Sequence, residues 1–131
     1  MISSMISRAS AVFLALTGLA LLFGSDVILP TLIPGDPPAA AWLGQLLAAA
    51  WLGVAVLNWY SRSAVLGGIY GRPVVSANAT LYFVSALTIV RAATGLAGSR
   101  ALWLLAVPFA LFAGAYGALM FRGPFDSLDV K

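Results

Sequence analysis

The sequence predicts an all-α integral membrane protein, a four-helix bundle with its N- and C-termini both on the cytoplasmic side. Three observations predict it. First, 62% of the 131 residues are hydrophobic and 8% charged, where an ordinary soluble domain has about 45–50% and about 25%. A small soluble domain leaves too much of its surface in water to hide that much apolar area, and the mean hydropathy is +1.01. Second, four stretches reach the ~20 apolar residues that cross a hydrocarbon core of ~30 Å. Third, the basic residues divide unevenly between the loops. Arg8, Arg62, Arg72, Arg122 and Lys131 fall on one side, with Arg100 on the other and Arg91 just inside the third stretch. The positive-inside rule makes the richer side cytoplasmic.

The first span is expected over residues 9–29, interrupted late by Asp26. Arg8 followed by an apolar run to Gly24 could also open a signal peptide, but the run continues through Val27, Ile28 and Leu29, which favours a span. Pro30, Pro34, Gly35, Asp36, Pro37 and Pro38 then make a connection that cannot continue a helix. The second span covers 39–60 without a charge, and Gly67, Gly68, Gly71 and Pro73 punctuate the chain before the third, at 74–96. A tight turn at Gly95, Gly98 and Ser99 leads to the fourth, at 101–121, which carries Pro108 inside it. The four spans leave only short loops and tails, so the chain is one domain. Trp42, Trp59, Tyr60, Trp103 and Phe121 fall at span ends, where amphipathic rings anchor a helix at headgroup depth.

The chain has no Cys, no His and no Glu, and its four acids are all Asp. That removes disulfides, thiol redox, Cys/His zinc sites and His-ligated haem, and no cofactor, metal or nucleic-acid partner is expected. Catalysis would lack the tunable His or Glu that general acid–base chemistry usually employs; Tyr and Lys remain available, and no catalytic residue is assigned.

Four sets of residues stand out. Asp26 lies 18 residues beyond Arg8 and Arg91 lies 18 beyond Pro73, so each sits ~27 Å up its helix from the same face; equal depth predicts a structural ion pair pinning the first and third helices. Arg62 and Arg72 flank a glycine- and aromatic-rich inner loop, where they are candidate contacts for lipid phosphates. Asn78, Tyr82 and Ser85 recur at helical spacing with Thr88 adjacent, and Thr17 and Gln45 could join them in a polar seam. Ala106, Ala110, Gly114 and Ala118 recur every four positions. Such a row of small residues lets helix backbones approach, within one bundle or between chains. In the second span Gly44 with Ala48, and Ala49 with Gly53, repeat the pattern.

The four short spans, the arginine-bearing inner loop and Leu66-Gly67-Gly68 resemble the bacterial DoxX-like membrane proteins. In that group an acidic residue often precedes the paired glycines, whereas Ser63 to Leu66 contain none. Some members are associated with oxidoreductase complexes, so the resemblance implies an accessory role in a bacterial inner membrane. The residues themselves point to a non-catalytic structural or accessory subunit. It would pack through small-residue faces as a homo-oligomer or in a larger membrane complex, and touch anionic lipid at the inner loop. The alternative is an oligomeric channel or transporter whose path is lined by the polar seam.

Overall fold

The computed structural model describes residues 2–32, 41–63, 71–95 and 100–122. Within them the chain is all-helical: α1 (Ile2–Leu32), α2 (Ala41–Tyr60) continued by a short 3-10 turn at Ser61–Ser63, α3 (Arg72–Gly95) and α4 (Arg100–Arg122). Each of the four is long and apolar enough to cross a membrane. The connections at 33–40 and 96–99, the loop bearing Leu66-Gly67-Gly68 and the tail with Asp126 and Asp129 lie outside the described residues.

α1 starts seven residues before the expected Ala9, because Ser3 and Ser7 are buried helix positions rather than a polar flank. It also runs through Pro30, which was expected to end it. A proline removes one backbone donor from a helix, and Thr31 adds a side-chain donor in the same turn, to the carbonyls of Val27 (3.2 Å) and Ile28 (2.6 Å). The departure from helical geometry comes earlier, at Gly24 (φ −120°, ψ 19°). α3 opens with Pro73 in its first turn, where the missing N–H costs nothing, and the Val75 N–H donates to the Gly71 carbonyl at 3.0 Å.

The interior follows a seven-residue rhythm. On α1 the buried positions include Ser7, Leu14 and Leu21 in one row and Ala11, Gly18 and Ser25 in another; on α2 they are Gly44, Trp51 and Asn58 beside Ala48 and Ala55. On α4 Leu102, Phe109 and Tyr116 repeat it. A mean spacing of 3.5 keeps one seam facing a partner helix, as in left-handed coiled coils. The contacts run antiparallel: Gly44 of α2 meets Ser25 and Leu29 of α1, Gly18 meets Ala48 and Leu52, and Ser7 meets Asn58. α1 with α2, and α3 with α4, thus form two tightly packed hairpins, which touch one another less extensively.

An aromatic layer joins the hairpins at mid-height. The Phe13 ring lies 5.5 Å from Phe109 and 5.4 Å from Phe112, and Trp51 lies 5.5 Å from Phe109. Outward, the helices present large apolar side chains such as Phe23, Leu104 and Leu111, at 81%, 77% and 70% exposure. Trp42 and Trp103 are exposed near one end of the bundle, Trp59, Tyr60 and Phe121 at the other. Among the large apolar side chains of the interior, several buried positions are Ser and Asn, residue types that are mostly exposed in soluble proteins.

Candidate functional site

The helices bring together polar side chains from three elements at the end formed by the first turns of α1 and α3 and the last turns of α2. Asn58 and Asn78 pair reciprocally: Nδ2 of Asn58 donates to Oδ1 of Asn78 at 2.8 Å, and Nδ2 of Asn78 donates to Oδ1 of Asn58 at 2.6 Å. Asn58 Nδ2 also donates to Ser10 Oγ at 2.8 Å, and Ser10 Oγ shares a hydrogen bond of 2.6 Å with the Tyr82 hydroxyl. Ser7 Oγ donates to the Asn58 carbonyl at 2.8 Å, and Asn78 Nδ2 to that of Val74 at 2.9 Å. Ser7, Ser10, Asn58, Asn78 and Tyr82 are all fully buried. The Tyr82 ring stacks on Phe112 (4.9 Å) and Tyr116 (5.7 Å), closing the cluster from the α4 side. Each amide proton here points at another member or a backbone carbonyl, and the Ser10 and Tyr82 hydroxyls share one bond, so the cluster works as a latch between α3 and the first hairpin.

The polar seam therefore divides. Asn78 and Tyr82 belong to this latch. Thr17 and Thr88 turn their hydroxyls onto their own helices, donating to the Phe13 carbonyl at 2.7 Å and the Val84 carbonyl at 2.8 Å. Gln45 is exposed on the outside of α2. Thr17, Ser85 and Thr88 lie instead on the wall of a second feature, a cleft of about 610 Å³ where the hairpins part beyond the aromatic layer. The cleft is otherwise apolar and reaches down to Phe13 and Trp51. The Trp51 side chain is 6% exposed, and its indole Nε1 has no hydrogen-bond partner among the described residues. Tyr116, whose hydroxyl faces Ser7 and Ser10 in the latch, does not line the cleft.

Asp26 and Arg91 are not joined. Both are exposed, and no ion pair links them among the described residues. Equal depth fixes the height of a residue but not its bearing, and successive helical residues turn by about 100°. Ser25 takes the buried position against Gly44, which turns its neighbour Asp26 outward. Asp26→Ala and Arg91→Ala should accordingly have additive effects on thermal unfolding in detergent, with no coupling in a double-mutant cycle.

Arg62 folds back on the end of α2: its guanidinium carbon sits 4.5 Å from the centre of the Trp59 ring and its Nη1 donates to the Trp59 carbonyl. Arg72 is exposed at the start of α3. The small-residue row of α4 also divides, because residues four apart drift around a helix by about 40° per step. Ala106 is buried and Ala118 half-buried, but Ala110 and Gly114 face outward, and a Cβ at Gly114 would meet nothing within 4 Å. On α2 Gly44 and Ala48 pack on α1, whereas Ala49 and Gly53 are exposed.

The residues that sequence reasoning missed are Ser7, Ser10, Asn58 and Trp51. For Trp51 and Asn58 the signal was the seven-residue row Gly44, Trp51, Asn58, which places an amide and an indole on an otherwise small-residue seam.

Family models, curated proteins and solved structures were each compared with the chain. It matches none of them. The geometry alone supports a functional reading.

Proposed function

We propose that this chain is an integral protein of a bacterial cytoplasmic membrane, both termini inside, serving as a non-catalytic structural or accessory subunit. The latch carries the reading. Its polar groups bond mainly to one another, inside a bundle whose outer wall is apolar and whose α4 keeps Ala110 and Gly114 open. Lipid gives helices no hydrophobic drive to associate, so close backbone approach at small residues is the available means of docking. The opened row on α4 suits a helix of a second subunit, a copy of this chain or another membrane protein. Arg62 and Arg72 supply basic charge at the cytoplasmic face, where anionic headgroups collect. Transport along the polar seam draws less support, since Asn78 and Tyr82 are bonded inside the latch and Gln45 faces away from it.

Native mass spectrometry after gentle extraction tests this. The wild-type chain should be recovered in an assembly of fixed stoichiometry. Combining Ala110→Leu with Gly114→Leu should lower the assembled fraction about tenfold, the equivalent of ~1.4 kcal/mol, while leaving the unfolding midpoint of the monomer unchanged. A wild-type chain recovered only as monomer, or an assembly indifferent to both leucines, would overturn the accessory role.

A further inference from the structure

We infer that the cleft between the hairpins is a binding site for an uncharged lipid that presents a carbonyl oxygen to the indole N–H of Trp51. The inference rests on the membrane setting proposed above, though not on the accessory role.

Two observations are joined here, a cleft and a buried indole nitrogen on one of the residues that line it. The cleft volume of about 610 Å³ falls in the range of about 300–1,000 Å³ typical of small-molecule sites, which are mostly apolar with a few placed polar groups. Trp51, on its wall, holds a buried donor with no acceptor among the described residues. Buried indole N–H groups normally find a partner. The hydroxyls on the same wall do not provide one: Thr17 and Thr88 donate to carbonyls of their own helices, and neither oxygen lies within bonding distance of the indole nitrogen.

Depth selects the ligand. Trp51 stands ten residues after Ala41 and nine before Tyr60, so it lies ~13–15 Å from either end of α2, at the middle of a ~30 Å hydrocarbon core. A phospholipid's ester carbonyls stay near the interface with their headgroup and cannot descend that far. Its acyl chain can enter the cleft but brings no acceptor. A ketone, a quinone or another carbonyl compound without a polar head is free to sit at the midplane. The aromatic floor at Phe13 and Trp51 and the aliphatic walls at Leu104 and Leu105 suit its apolar body.

The test uses full-length protein with ¹⁵N-labelled indoles in phospholipid nanodiscs, titrated with 2-pentadecanone or with n-pentadecane. The ketone should move the Trp51 indole proton downfield in a saturable manner and be retained about tenfold better than the hydrocarbon, the effect of roughly one hydrogen bond. Trp51→Phe should abolish that preference and identify the signal. Leu105→Trp, which fills the cleft and keeps Trp51, should remove ketone binding even where Trp51→Phe does not fold. An indole signal that responds equally to both probes, or to neither, means that the cleft holds phospholipid chains only and overturns the site while sparing the membrane reading. Failure of the protein to incorporate into nanodiscs overturns both.

Discussion

Asn58→Leu should destabilise the detergent-solubilised protein by about 2–4 kcal/mol, and adding Asn78→Leu should recover much of that loss. The single change removes both bonds of the reciprocal amide pair and the donor to Ser10, leaving the Asn78 carbonyl oxygen buried without a partner. An orphaned buried polar group costs about 1–3 kcal/mol, whereas replacing both partners by apolar groups of similar shape can be nearly neutral. The cost exceeds the ~0.6 kcal/mol average for an interhelical bond in lipid because one side chain serves two neighbouring helices at once. Reversible unfolding in mixed micelles of the two single variants and the double variant gives the coupling. Purely additive losses would show that the latch does not act as a unit.

The second large effect is steric. A Cβ at Gly18 would lie 3.0 Å from Leu52 Cγ and 3.3 Å from the Ala48 carbonyl oxygen; one at Gly44 would lie 3.0 Å from Leu29 Cδ1 and 3.1 Å from Ser25 Cβ. Gly18→Leu or Gly44→Leu must push α1 from α2. Extra methylenes in a packed core cost about 1–3 kcal/mol, and a whole leucine at a helix crossing belongs at or above the top of that range. Gly53→Leu, where a Cβ meets nothing within 4 Å, should stay within about 0.5 kcal/mol of wild type. The three unfolding midpoints measured side by side decide it; a Gly53 variant as damaged as the other two would contradict the assigned interface.

The existence and number of helices were legible because twenty-residue apolar runs separated by Pro and Gly allow little else. The azimuth of each helix was harder to read. In a soluble helix a polar stripe marks the outside, but here the exterior is as apolar as the interior, so polarity gave no bearing for Asp26 or Arg91. Depth alone suggested a pair that helix rotation separates. Asn78 and Tyr82 are legible through their helical spacing, but Asn58 falls in the last turn of the second span, Ser7 just ahead of the first and Ser10 one residue inside it, where a polar residue is ordinary. Serine is small enough to lie at a helix crossing whether or not it is polar, so composition could not place it. Trp51 reads as ordinary apolar filling in sequence; only the cleft beside it and its unpartnered nitrogen mark it out.

The latch also bears on assembly. Most packing lies within the two hairpins, so α1 and α2 can mate as soon as both are synthesised, guided by Gly18 and Gly44. Until α3 arrives, Asn58 lacks its amide counterpart and Ser10 lacks the Tyr82 hydroxyl. The half-made protein therefore carries unpaired polar groups among apolar side chains, and these are paired only when the later hairpin docks in the correct register. A misplaced α3 would leave them bare, so the same bonds that hold the finished bundle also proofread its construction.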